Sequence, residues 1–154
     1  MRGWEVWSTI NGDTGTSFPH LQKLYIKGCY KLVEVSLEAI PSLRVLEIRG
    51  CGVGVLRSVV HAASSITKLV IDRISGLTQL HEGIIKHLGA VEEVTINSCK
   101  EMRYLWESEA EACKTLVNLR TLSVWSCDNL VGLGEKEEDN CESCLTSLRQ
   151  VDVN

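Results

Sequence analysis

The chain has 154 residues, of which 44% are hydrophobic and 23% charged, the composition of a folded domain and not of a disordered segment. Residues 1–77 carry nine basic and six acidic side chains and residues 78–154 carry seven and fourteen, so neither half has the basic surplus that nucleic-acid binding requires. No apolar run approaches the roughly 18 residues of a membrane-spanning helix.

The first stretch, residues 1–17, contains "GWEVW" (3–7) and reads as a linker or the tail of a preceding repeat. From residue 18 onward one pattern, L-x-x-L-x-L-x-x-C, organises the chain. Its copies are "LQKLYIKGC" from Leu21, "LRVLEIRGC" from Leu43, "ITKLVIDRI" from Ile66, "VEEVTINSC" from Val91, "LRTLSVWSC" from Leu119 and "LRQVDVN" from Leu148. The intervals are 22, 23, 25, 28 and 29 residues, at the spacing of leucine-rich repeats. The second and third anchors are Leu24/Ile26, Leu46/Ile48, Leu69/Ile71, Val94/Ile96, Leu122/Val124 and Val151/Val153. All are aliphatic, which a chain with this hydrophobic content would not produce by chance.

Alternation with a period of two makes each copy a short strand with one apolar face. A single repeat cannot bury that face, so neighbours must stack. The expected fold is an α/β solenoid of about six repeats. It is a horseshoe segment with a parallel concave β-sheet and an irregular or short-helical convex side. Among the connections, "LEAIPS" (37–42) is too short for more than a turn and "GCGVGV" (50–55) reads as a sharp turn without a helix start. "HEGIIKHLG" (81–89) suits a short helix. The acidic stretches "ESEAEA" (107–112) and "EKEEDN" (135–140) read as solvated loops, or alternatively as an acidic surface for a basic partner.

Seven cysteines, an odd number, occur without a signal peptide or an N-x-[ST] sequon, so free thiols in a reducing intracellular setting are expected. Cys29, Cys51, Cys99 and Cys127 occupy the ninth position of their copies, and Ile74 stands there in the third. Recurrence at a fixed position argues for a turn residue, a small hydrophobe whose weak S–H donor caps a backbone carbonyl in the next turn. Cys141 and Cys144 form the chain's one C-x-x-C, without the second pair or the βαβ setting that zinc or redox chemistry needs. His20, His61, His81 and His87 give no ligand set, since His81 and His87 would lie on opposite faces of a helix. The chain has no P-loop and no G-x-G-x-x-G, and no Ser, Cys or Asp stands in a nucleophile setting. A catalytic role is not expected.

"FPHLQKLYIKGCYKL" (18–32), with Phe-Pro before the strand and Cys-x-x-Leu after it, resembles the leucine-rich repeats of plant intracellular disease-resistance proteins of the coiled-coil, nucleotide-binding type. "LGAVEEVTINSCKEMRYLW" (88–106), "LVNLRTLSVWSCDNLVGL" (116–133) and the Trp-rich "GWEVW" are similar to segments of the same family. Extracellular plant repeats would show L-x-G-x-I-P segments, and F-box-linked repeats continue "CxxITDxGL"; here the continuations are "CYKLVEV", "CKEMRYL" and "CDNLVGL". The resemblance implies a non-catalytic module of an innate immune receptor, located in the cytoplasm or nucleus. It would recognise a pathogen effector or a guarded host protein and help to hold the receptor's other domains at rest. No cofactor is implied for this chain, because ADP or ATP would bind a nucleotide-binding domain outside it. The alternative is a repeat-type substrate adaptor of a ubiquitin ligase.

Positions three, five and seven of each copy should project from the concave sheet. The candidate partner-binding side chains are Lys23, Tyr25, Lys27, Glu47, Arg49, Lys68, Asp72, Glu93, Asn97, Ser123, Trp125 and Asp152. Among them Trp125 is the expected anchor, with packing on Asn97 or on an acidic loop as the alternative. The chain reads as truncated at its C-terminus, where the sixth strand stops at Asn154 before its turn.

Overall fold

The computed structural model describes residues 6–8, 18–135 and 149–153. In chain order the first half gives β1 (Val6–Ser8), β2 (Lys23–Lys27), β3 (Glu34–Ser36), β4 (Val45–Arg49), α1 (Val53–Ala62) and β5 (Lys68–Asp72). There follow α2 (Glu82–Ile85), β6 (Glu93–Asn97), β7 (Tyr104–Ser108), α3 (Glu109–Thr115), β8 (Thr121–Trp125), β9 (Gly132–Glu135) and β10 (Gln150–Val153).

Strands β2, β4, β5, β6, β8 and β10 form one parallel sheet in that order. Their register is that of the sequence alignment, with Lys23, Val45, Lys68, Glu93, Thr121 and Gln150 lined up side by side. A slip of one residue would turn every Leu and Ile to the opposite face. At the strand entries one carbonyl receives two amides from the next strand: Gln22 O accepts from Arg44 and Val45 N–H at 2.8 and 3.0 Å. Arg44, Thr67, Glu92 and Arg120 carbonyls repeat the arrangement along the sheet.

Behind the sheet the aliphatic anchors stack into columns. Leu46, Leu69, Val94 and Leu122 form one, and Ile48, Ile71, Ile96 and Val124 another, all buried, as are Leu43, Ile66, Val91 and Leu119 at the first position. Each such side chain contributes about 1.5–3 kcal/mol by leaving water. Leu24 in the first copy is only partly covered.

The chain leaves each strand through a left-handed residue at the eighth position: Gly28 (φ 68°), Gly50 (59°), Arg73 (52°), Ser98 (52°) and Ser126 (52°). That bend brings the N–H of Gly28, Gly50, Arg73 and Ser98 to the seventh-position carbonyl of the next strand, at 2.9 Å in each case. The ninth side chain then points into the core.

On the far side lies a second tier. Two-stranded parallel sheets pair β1 with β3 and β7 with β9, and Leu80 bridges to Trp106, whose indole is buried. Residues 37–42 contain no helix or strand, and α2 covers only the middle of 81–89, as the spacing suggested. The far-side strands β3, β7 and β9 are themselves a departure from the irregular or short-helical connections expected, and two connections differ further. "GCGVGV" is a turn only as far as Gly52, the N-cap of α1, so a helix does start there. Its valines are weak helix formers, but Val55, Leu56, Val59 and Val60 fall on one face and are buried together, and that packing imposes the helix. "ESEAEA" is not a loop either: Ser108 ends β7 and caps α3, its hydroxyl accepting the Glu111 N–H at 3.4 Å. The stretch 136–148 and Asn154, which include Cys141, Cys144 and Leu148, lie outside the described residues.

Gly54 sits where α1 meets the chain leading into β3, and a Cβ there would overlap the Val33 carbonyl oxygen. A Cβ on Gly28 would meet nothing within 4 Å. Gly28→Ala should therefore cost only the left-handed backbone penalty, about 1 kcal/mol. Gly54→Ala should cost about 3 kcal/mol by forcing helix and loop apart. Urea-unfolding midpoints of the two variants test this ordering, which equal losses would contradict.

Candidate interaction surface

The sheet face opposite the aliphatic columns presents three rows, one for each odd position of the repeat. Asp72 apart, the described side chains of these rows reach the surface to some degree. Tyr25 is 52% exposed and Trp125 is 41% exposed. They lie on strands four places apart, about 19 Å at the usual strand spacing. The Lys27 ammonium sits 5.5 Å from the centre of the Tyr25 ring. Trp125 has Asn97 as its cross-strand neighbour, and its carbonyl accepts from Ser98 N–H at 2.9 Å.

Asp72 departs from the exposed role expected of it. It is only 4% exposed, because the flanking guanidinium groups close over its carboxylate. Asp72 Oδ2 lies 3.2 Å from Arg73 Nη2 and 3.8 Å from Arg49 Nη1. Glu47 is similarly recessed, its side chain 13% exposed, with Oε1 at 2.8 Å from Lys27 Nζ and 2.6 Å from Arg49 Nε. The Lys27 hydrogen bond, with help from Arg49, holds the Glu47 carboxyl below its ordinary value against the opposing effect of burial. The two acids thus lie beneath the cations, and the first three strands of the sheet present a basic rim of Lys27, Arg49 and Arg73. Arg73 was missed in the sequence because it occupies the eighth position, outside the alternation; its left-handed bend swings it alongside the seventh. Lys68 and Glu93 pair at 2.6 Å, but both are well exposed, so the pair contributes little. Glu93 is thereby engaged within the sheet, while Lys23 makes no ion pair among the described residues. Ser123 and Asp152 share the middle row, and the position expected for Asn154 lies outside the described residues.

The ninth-position thiols are turn residues, each bonded to backbone. Cys29, Cys51, Cys99 and Cys127 Sγ each donate to the carbonyl two residues earlier, Lys27, Arg49, Asn97 and Trp125, at 3.4–3.6 Å. Backbone N–H groups of the preceding copy face three of them: Cys29 for Cys51, Ile74 for Cys99 and Cys99 for Cys127. The carbonyl capped is thus in the same turn, while the neighbouring copy supplies the amide. Burial pushes all three thiols up, Cys99 to about 11. No group of three or more potential metal ligands is assembled among the described residues.

The histidines, unrelated in sequence spacing, partly meet in space. His61 from the last turn of α1 and His87 after α2 stand edge to face with ring centres 4.9 Å apart. His81 Nδ1 lies 3.4 Å from Glu107 Oε2. Spacing along one helix could not reveal the first contact, because α1 and α2 belong to successive repeats.

The parallel sheet in one register and the backbone-capped thiols define an α/β repeat protein. The chain belongs to the family described as "Plant disease resistance protein RPS2-like, leucine-rich repeats", which matches residues 4–133. It is also similar to "Putative disease resistance RPP13-like protein 1" of Arabidopsis thaliana, with 26% identity over 127 residues, 82% of this chain and 12% of that protein. The chain therefore spans a small part of the length of the curated relative it matches. No solved structure matches it. Among the described residues no helix is long and apolar enough to cross a membrane.

Two predictions follow from these side chains. Cys51, Cys99 and Cys127 should react with an alkylating reagent at about pH 8 only as fast as the fold opens, with rates rising steeply in urea; free-thiol rates in the native protein would contradict the capped geometry. Burial, with His61 and Lys86 adding to it, lowers the His87 imidazole from 6.5. The folded chain therefore binds the proton less readily than the unfolded one, so stability should fall as pH drops through about 6.5 and below. Unfolding midpoints across this range should fall less steeply for His87→Phe.

Proposed function

We propose that this chain is the protein-recognition part of a plant disease-resistance receptor acting in defence. In this reading residues 18–154 are about six leucine-rich repeats forming a horseshoe, and residues 1–17 belong to a preceding repeat or linker. The concave face contacts a protein partner, a pathogen effector or a guarded host protein. The receptor's other domains are a second set of contacts through which the repeats restrain it at rest. The chain does no chemistry of its own and needs no cofactor; ADP or ATP would bind a nucleotide-binding domain elsewhere in such a receptor. The setting is intracellular, in cytoplasm or nucleus.

The family match over residues 4–133 supports this reading. The observation that carries it is the exposure of Tyr25 and Trp125 on a hydrogen-bonded sheet whose other outward side chains, Val45 and Val70 apart, are polar or charged. Large amphipathic rings on a rigid support are what interfaces use as anchors, because they contribute area at low entropic cost. Lys27, Arg49 and Arg73 would add steering for a partner of opposite charge.

The experiment is a pairwise binding screen of the receptor against effectors and host proteins, followed by substitution in any pair found. Trp125→Ala should weaken binding by about 2 kcal/mol, roughly thirtyfold, and Tyr25→Ala by about tenfold. The convex-side change Arg57→Glu should have no effect. Affinity that survives both aromatic changes and is lost on the convex change would refute the concave-face reading.

A further inference from the structure

A second surface lies beyond the turn that ends each strand. There a cleft of about 520 Å³ is lined by Thr78, Lys100, Glu101, Arg103, Asn129 and Val131. Counted from the start of each copy, Thr78, Arg103 and Val131 hold the thirteenth position, Glu101 and Asn129 the eleventh, and Lys100 the tenth. The cleft is therefore assembled from three successive repeats, and none of them contains it alone.

Its floor is fixed by hydrogen bonds. Arg103 N–H donates to Thr78 O and Val131 N–H to Arg103 O, both at 2.8 Å. Asn129 Nδ2 donates to Lys100 O at 2.6 Å, and Glu101 Oε1 accepts from Gly76 N–H at 2.9 Å. Glu101, the one carboxylate lining the cleft among the described residues, is thus held by backbone. Lys100 and Arg103 make no ion pair among the described residues, as is true of other cations such as Lys23 and Lys86, and both are exposed, so their charges are open to a ligand. This happens in the half of the chain where acids outnumber bases two to one. Val131, which lines the cleft, is 73% exposed, and Leu133, two residues further along the chain, is 40% exposed, so both present apolar surface to water.

We propose that this cleft binds an extended, acidic segment of a protein, whose carboxylates engage Lys100 and Arg103 while an aliphatic side chain covers Val131 and Leu133. The charge is complementary, and Arg103 offers the planar fork that suits carboxylates. The volume falls in the range of sites that enclose a small ligand or a few residues. A small inorganic anion would use the cations and leave that apolar surface uncovered. A basic segment would meet two like charges. No aromatic ring lines the cleft to stack a base. The site is separate from the concave face, so its test does not depend on the recognition proposed there.

The test titrates the 154-residue chain into a labelled peptide of alternating Glu and Leu, read by fluorescence anisotropy at low salt. A Lys/Leu peptide and inorganic phosphate serve as comparisons. Saturable binding of the Glu/Leu peptide is expected, weakened about tenfold or more by Lys100→Glu with Arg103→Glu and by added salt. Val131→Ser should weaken it about threefold through the lost apolar contact. The milder pair Lys100→Gln with Arg103→Gln repeats the measurement with less disturbance to folding, which thermal melts check. Arg57→Glu on α1, away from the cleft, should change nothing. No saturation up to about 1 mM, equal binding of the Lys/Leu peptide, or full affinity in the neutralised pair would overturn the proposal. Displacement of the peptide by inorganic phosphate at equal concentration would overturn it too, by reducing the cleft to a small-anion site.

Discussion

Everything in this molecule depends on the parallel hydrogen-bond ladder that joins β2, β4, β5, β6, β8 and β10 without a register shift. A parallel pair has no hairpin to fix its register, so something else must. Here the two aliphatic anchors of each strand do so from one side, since a single-residue slip would expose all of them. The left-handed eighth residue does so from the other, donating its N–H to the seventh carbonyl of the next strand. Because the ladder is in step, every ninth side chain arrives at the same depth. A thiol suits that depth, being small, apolar and able both to donate weakly to its own turn and to accept from the copy before.

The same constraint builds the outward face. Rows of equivalent positions stand about one strand spacing apart, so charge partners are chosen across repeats and not along the chain. Glu47 answers Lys27 from the neighbouring strand, and Asp72 answers Arg49 from the next. The short carboxylates sit low and the long cations reach over them, which gives the first strands a basic rim despite the acids below. Of the two exposed rings, Tyr25 stands on the edge strand β2 and Trp125 on β8, next to the other edge. The proposed recognition and the lateral cleft both exploit the consequence that stacking can bring side chains from three repeats to one place.

Much of this was legible in the sequence and some of it was not. The strands of the main sheet, their register, the inward anchors and the inward cysteines follow from a period of two inside a period of about 22–29 residues, whereas the far-side strands β3, β7 and β9 do not. Helix α1 was not legible, because Val-rich, Gly-flanked sequence reads as turn until the core behind it is known. Helix α3 carried a signal in Ser108-x-x-Glu111, a capping box hidden by its acidic composition. Arg73, Ser98 and Ser126 gave no hint of left-handed backbone, unlike Gly28 and Gly50 at the same position. Asp72 looked like a surface acid because alternation gives direction and says nothing of depth.

The sequence by itself therefore determined which residues face the core, which strands pair and in what register, for these are consequences of hydrophobic periodicity, and burial rewards only one register. The tertiary structure alone decided what happens between copies. It buried Asp72 beneath two guanidinium groups, brought His61 to His87 from separate repeats and grouped Lys100, Arg103 and Val131 around one cleft. The reason is physical: such contacts join residues about one repeat apart whose spacing varies with each connection, so no fixed period encodes them. Only the stacking of one repeat on the next sets their distances.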